Sequence, residues 1–197
     1  IFHAYEIDLP TPMKSSLCAL LCATALTATA ITGCGTTRQH TATLSQRTPR
    51  QDRYVVILSL DGFRPDYQGR CATPNLDAMD REGLAGRFRP SYPTLTFPNH
   101  YSMATGLYPN NHGLVGNEFW DERGARYRLG DRKAVADPSF YKGEPLWNVA
   151  RRHGVKSASF FWVGSETPVG GHHPDRWKKF NDKVPYTDRA DSVLSWL

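Results

Sequence analysis

The chain has 197 residues, of which 40% are hydrophobic and 12% aromatic, enough for one ordinary packed domain with an extension. The formal net charge of +5 is carried by Arg and Lys residues spread along the chain, with no block of like charge. That excludes a clustered nucleic-acid footprint and leaves a solvated surface, with a mild field that would favour anionic substrates. The cysteines are Cys18, Cys22, Cys34 and Cys71, and only Cys71 falls in the presumed domain, so no internal disulfide framework is available. Stability must come from the core, from bound metal, or from both.

Residues 1–12 contain Pro10 and Pro12 together with Glu6 and Asp8, which suit neither a helix nor the basic start of a leader. They read as an upstream overrun, with translation starting at Met13. Residues 13–33 read as a signal peptide: Lys14 is followed by an apolar run from Leu17 to Ile31, too short to span a bilayer. The run ends in Ile31-Thr32-Gly33-Cys34, which resembles a bacterial lipobox and makes Cys34 the expected lipidation site. A competing cut lies at Ala28-Thr29-Ala30, which would give plain secretion, and a retained anchor is the third possibility. The expectation is an exported protein, periplasmic or outer-membrane, held to the membrane through a lipid. Residues 34–52 are polar and read as a flexible tether, which leaves residues 53–197 as the folded part.

Tyr54 to Leu60 is a short apolar run rich in β-branched residues, predicted to be a buried parallel strand. It ends on Asp61-Gly62, and ligands in open α/β sheets bind beyond the carboxyl ends of strands, where a carboxylate can hold a cation. On the strand alone, Asp61 reads more simply as the cap of the following turn. Thr73-Pro74 opens a predicted helix with Leu76, Met79 and Leu84 facing inward. In Ser91 to His100, Pro98 is compatible only with the first turn of a helix, so Thr96 falls at or just before its N-terminus and Gly106 ends it. A hydroxyl there faces free N–H groups and the positive end of the helix dipole, where phosphate oxygens are stabilised. Taken alone, Thr96 is still most simply a helix cap. Glu144-Pro145 opens a further helix stopped by Gly154, residues 156–163 form a second predicted strand, and Asp188 starts a last helix. This alternation predicts an α/β fold.

Read together, the local words Asp61-Gly62-Phe63-Arg64, Thr73-Pro74-Asn75-Leu76, Tyr92-Pro93-Thr94-Leu95-Thr96-Phe97-Pro98-Asn99-His100 and Thr105-Gly106-Leu107-Tyr108-Pro109, followed by His112-Gly113 and Asn117, say more than any one of them. In that order the chain closely resembles the nucleotide pyrophosphatase/phosphodiesterase family of the alkaline-phosphatase superfamily. The resemblance runs from about Tyr54 to Leu197. It implies an alkaline-phosphatase-like, mostly parallel sheet flanked by helices, incomplete in this chain. It also implies that Thr96 is the nucleophile and contacts a zinc ion, that Asp61 is a zinc ligand, and that Asn117 hydrogen-bonds a non-bridging phosphate oxygen. Phe97 would pack against a nucleobase. The implied reaction cleaves nucleotide pyrophosphate or phosphodiester bonds through a covalent threonyl intermediate and releases nucleoside 5′-monophosphates.

The resemblance further implies two zinc ions as cofactors, of whose ligands this sequence offers one matching carboxylate; the others are expected beyond Leu197. His100 and His112 read as structural, His172-His173 as loop surface, and His153 as a helix-end cation. Residues 35–197 alone are therefore expected not to turn over substrate. A choline-type phospholipid phosphodiesterase shares the same nucleophile segment and is the alternative enzyme. A non-catalytic surface lipoprotein is the alternative from another class, against which the presence of Asp61, Thr96 and Asn117 argues. Phosphatase and sulfatase relatives fit less well, because they carry a serine or cysteine-derived word where this chain has Thr96-Phe97-Pro98-Asn99.

Overall fold

The computed structural model describes residues 54–197. The readings made for residues 1–53, including the leader, the tether and lipidation at Cys34, lie outside the described residues. Residues 57–197 belong to one compact unit.

Pro74–Glu82 form helix α1, with Pro74 in the first turn where its missing N–H costs nothing. Thr73 occupies the cap position, but its hydroxyl donates to the Asp77 carboxylate at 2.9 Å and does not accept from the helix backbone. Leu76 and Met79 are half-buried as expected. Leu84 is not: the helix ends at Glu82, so Leu84 leaves the apolar face and is 71% exposed.

Thr96–Thr105 form helix α2, ended by Gly106 in the left-handed region with φ of 69°. Pro98, Tyr101 and Ala104 are its buried face, at helical spacing. A four-residue helix α3 (Pro109–His112) follows, then an antiparallel hairpin of β1 (Glu118–Trp120) and β2 (Arg126–Arg128), in which Phe119 faces Tyr127. The hairpin turn is organised by Asp121, whose carboxylate accepts from the Arg123 and Ala125 N–H groups at 2.9 Å. Helix α4 (Arg132–Val135) is capped by the Asp131 side chain.

Helix α5 (Leu146–Arg152) starts after Pro145 and is followed by Gly154 at φ 71°, as the sequence predicted. Strand β3 is shorter than expected, Ala158–Phe160, because Phe161 turns the backbone to φ 68°. It pairs in parallel with β4 (Arg176–Lys178). Helix α6 (Tyr186–Leu194) begins after Pro185, two residues before the expected start, and places Asp188 in its first turn. Trp196 lies just past it, 5.8 Å from the Phe160 ring.

The predicted strand over residues 54–60 does not form. Among the described residues no strand pairs with it, and Ile57 and Leu58 are 45% and 59% exposed. An apolar β-branched run becomes a buried parallel strand only where neighbours supply ladder bonds and cover both faces.

The core lies elsewhere and is aromatic. Tyr101, Leu114, Tyr127, Val135, Phe140, Tyr141, Trp147 and Val169 are buried in one cluster. Tyr127 stacks on Phe119 at 5.0 Å and meets Phe140 edge-on at 5.2 Å, while Tyr101 meets Tyr141 edge-on at 5.2 Å. Two of the buried hydroxyls are chained: the Tyr127 and Tyr141 oxygens are 2.9 Å apart, and Tyr141 donates to the Val135 carbonyl at 2.8 Å. Burial pushes the Tyr141 phenol up to about 12, so it is a permanent donor in any ordinary buffer. Helix α2 is anchored to this cluster through Tyr101 and Ala104, which fixes the axis along which Thr96 is presented. No helix among the described residues is long and apolar enough to cross a membrane.

Candidate active site

Thr96 is the first residue of α2, and the preceding Leu95 is extended with no side-chain cap bond. The Thr96 hydroxyl is therefore not capping the helix. It donates across 35 residues of sequence to Asp61, Oγ1 to Oδ2 at 2.9 Å. Asp61 likewise does not cap its own turn; its carboxylate is engaged with Thr96. Asn117, immediately before β1, accepts from the Phe97 N–H through Oδ1 at 3.0 Å. Because an N–H can only donate, this bond fixes which end of the Asn117 amide is oxygen and leaves its NH₂ available as a donor. Thr96, Asp61, Asn117 and Phe97 are thus brought together at the N-terminus of one helix. The Phe97 ring is half-buried against the core, 6.1 Å from Tyr127.

The loop before the helix is laced by Asn99. Its NH₂ donates to the Pro93 and Leu95 carbonyls at 2.9 and 3.0 Å, and its Oδ1 accepts from the Ser91 N–H at 2.8 Å. The Asn99 amide thereby uses both of its ends, and the peptide leading into Thr96 is held on the helix it precedes. Pro98 has no N–H to satisfy in this first turn, so its burial leaves no orphaned donor.

His112 sits beneath the site, fully buried. Its Nδ1 accepts from the Leu114 N–H at 3.2 Å, so Nε2 carries the proton and donates toward Ser102 Oγ at 2.9 Å and the Pro98 carbonyl at 3.2 Å. Desolvation by burial lowers its pKa from the ordinary 6.5, keeping the ring neutral. The unfolded chain binds a proton at this residue below about pH 6.5 while the folded chain does not, so stability falls as pH drops below that value until the lowered folded pKa is reached. Urea unfolding should give a lower midpoint at pH 5.5 than at pH 7.5, with a smaller difference in His112→Asn; equal slopes in the two proteins would remove this assignment.

Among the described residues the remaining histidines make no cluster. His153 ends α5 and is exposed. His173 lies stacked on Trp177, centroids 4.3 Å apart and planes 9° apart, and its Nδ1–H donates to the Ser165 carbonyl at 3.2 Å. Among the described residues no group of three or more His, Cys, Asp or Glu could hold a metal ion. Asp61 and Thr96 offer two oxygens, whereas zinc takes four ligands, or three with an open position. The described residues do not by themselves make a zinc site.

The family model for type I phosphodiesterase / nucleotide pyrophosphatase matches residues 55–197. The chain belongs to this family. It is 41% identical over 147 residues to human ectonucleotide pyrophosphatase/phosphodiesterase family member 1, covering 73% of this chain and 16% of that protein. It is 36% identical over 146 residues to member 3 from Rattus norvegicus, covering 73% of this chain and 17% of that protein. The chain therefore spans about a sixth of the length of these curated relatives. Among solved structures it matches murine ectonucleotide pyrophosphatase/phosphodiesterase 5, an inactive threonine-to-alanine variant in complex with AMP. That match has a TM-score of 0.66 at 28% identity, over 70% of this chain and 37% of the murine chain. The mixed α/β fold is shared with that structure.

The hydrogen bonds of Asn117, Asn99 and His100 were not foreseen from the sequence. All three stand in or beside words of the family, but nothing local in the sequence pointed to these partners. The hairpin β1–β2 was not predicted from the sequence.

Proposed function

We propose that this family member contributes the nucleophile end of a phosphodiesterase site that cleaves nucleotide pyrophosphate or phosphodiester bonds through a threonyl intermediate. The observation that carries this reading is the Thr96 hydroxyl, set at a helix N-terminus and hydrogen-bonded to a carboxylate instead of to its own helix. The positive end of the helix dipole favours a phosphate there, while the Phe97 N–H is already taken by Asn117 and Pro98 has none to offer. Asp61 Oδ2 holds the hydroxyl proton and points an oxygen lone pair outward. Attack by Thr96 Oγ1 on phosphorus forms the ester bond as the bond to the leaving group breaks, and the proton leaves along the Asp61 hydrogen bond. Water then cleaves the ester, restoring the hydroxyl and releasing the nucleoside 5′-monophosphate. The Asn117 NH₂ donates to a non-bridging oxygen as charge builds on it. Phe97 offers a partly open ring face to a base. Asp61 and Thr96 are also the two oxygens that would join the donor set of a zinc ion in the whole protein.

The AMP held by the murine relative, and the loss of a threonine in its inactive form, support a nucleotide as substrate and a threonine at the centre. The leader pattern ending at Cys34 supports export and a lipid anchor for the protein. Hydrolysis of nitrophenyl thymidylate by the full-length protein, measured beside nitrophenyl-phosphorylcholine, tests the substrate class. Faster turnover of the choline ester would transfer the reading to phospholipid substrates. Asn117→Ala should lower kcat by about 100-fold or more, the usual cost of removing one preorganised donor to a developing oxyanion. An Asn117→Ala rate within twofold of the parent would take the phosphate contact away from this residue.

A further inference from the structure

We infer that Ser59 and His100 form a positioning clasp that sets the register of Asp61 against Thr96; this rests on the nucleophile reading given above. Ser59 Oγ lies 2.8 Å from His100 Nε2, and His100 Nδ1 lies 2.8 Å from the Thr96 carbonyl. A carbonyl only accepts, so Nδ1 carries the ring proton, Nε2 is bare, and the Ser59 hydroxyl donates into it. His100 is therefore in the opposite tautomer to His112, and each is fixed by a backbone group of known polarity. The ring is held from the other side by Trp162, which donates Nε1–H to the His100 carbonyl at 2.9 Å and meets the imidazole edge-on at 5.6 Å.

The spacing explains why these bonds work as a pair. Ser59 precedes Asp61 by two residues, Asp61 lies in the turn closed by the Phe63 N–H on the Leu60 carbonyl at 3.3 Å, and both side chains meet the same helix. Thr96 and His100 are four apart on α2 and so share one helix face. Ser59–His100 and Asp61–Thr96 are then two parallel rungs between the same two pieces of backbone. Among the described residues these are the hydrogen bonds that join 57–62 to α2, and the segment has no ladder bonds to hold it. Ser59 is half-buried while Ile57, Leu58 and Leu60 around it are exposed, as expected for a residue facing the helix. A carboxylate on an unpaired, exposed segment can meet the nucleophile reproducibly only if something fixes the segment's slide along the helix, and the upper rung does so.

The clasp separates from a merely structural role by kinetics on the full-length protein. Ser59→Ala and His100→Asn, which cannot reach Ser59, should each lower kcat by about 10- to 100-fold through misplacement of the carboxylate, with KM within about twofold. His100→Gln, whose side-chain oxygen can accept from Ser59, should recover most of that loss. The melting temperature of Ser59→Ala should stay within about 2 °C of the parent, because the hydroxyl lies at a half-exposed position. An unchanged kcat in Ser59→Ala, equal losses in His100→Gln and His100→Asn, or losses that merely track melting would each overturn the clasp. A parent protein without turnover would defeat the nucleophile reading instead. The clasp would then be judged on crystal structures of parent and Ser59→Ala, where loss of the Thr96–Asp61 hydrogen bond is expected and its persistence is the overturning result.

Discussion

Replacing Thr96 with alanine is expected to lower the turnover of nitrophenyl thymidylate by the full-length protein by about 10⁴-fold or more, the scale on which loss of an attacking hydroxyl is felt. The same substitution should hardly affect stability, within about 0.5 kcal/mol, because alanine is the best helix former and Thr96 makes no cap bond to lose. This pairing separates the two readings of the residue. A threonine that served as helix cap would cost about 1 kcal/mol when truncated and leave chemistry alone. On the proposed reading, the full-length Thr96→Ala protein should still bind AMP, since the dipole, the Asn117 amide and the Phe97 ring remain. Thr96→Ser keeps the oxygen and should keep a large part of the rate. A Thr96→Ala protein that turns over like the parent would end the proposal that this hydroxyl attacks phosphorus.

The helix that presents Thr96 was legible in the sequence for a specific reason. Pro98 restricts where a helix can begin, and Gly106 restricts where it can end, so between them only one register was open. Helix α5 was legible on the same grounds, proline at the start and glycine after the last turn, whereas for α1 only the start at Thr73-Pro74 was read and its end before Gly83 was missed. Residues 54–60 misled because periodicity measures what a segment is suited to be packed against, not whether that partner is present. The hairpin and β4 are three-residue strands, too short for any period to register.

The partners of the site were less legible than its location. Thr96 and Asp61 stood out because they occur in words of a known family, but their mutual hydrogen bond joins positions 35 apart, and no local rule relates such positions. Ser59 carried no signal at all, being one small polar residue in an apolar run. The role proposed for it exists only because residues 57–62 and α2 meet side by side. Histidines were the hardest to assign from sequence: His100, His112 and His173 each satisfy a different backbone group through a different ring geometry, and residue type says nothing about which.

Gly113 is held against backbone behind the site, and Gly113→Ala should destabilise the protein by about 4 kcal/mol or more, enough to count among the severe single substitutions. Two independent costs combine there. Gly113 ends α3 at φ 90°, a left-handed conformation that costs a residue bearing a Cβ about 1–2 kcal/mol. A Cβ would also stand 2.6 Å from the Phe140 carbonyl oxygen, and that oxygen cannot swing aside as a side chain would. The Lys142 N–H donates to the His112 carbonyl at 2.8 Å, which holds the Phe140–Lys142 backbone against this turn, and Phe140 itself is buried in the aromatic core. Gly124→Ala provides the control: φ is 75° but a Cβ there meets nothing within 4 Å, so only the conformational cost of about 1 kcal/mol applies. Urea unfolding of the two variants should therefore differ by about 3 kcal/mol, the part due to overpacking; equal losses would mean that the Phe140 backbone yields. The consequence reaches the chemistry, because His112, next to Gly113, is hydrogen-bonded to the Pro98 carbonyl in the first turn of α2. Whatever relieves the clash at Gly113 pushes on the helix end that carries Thr96.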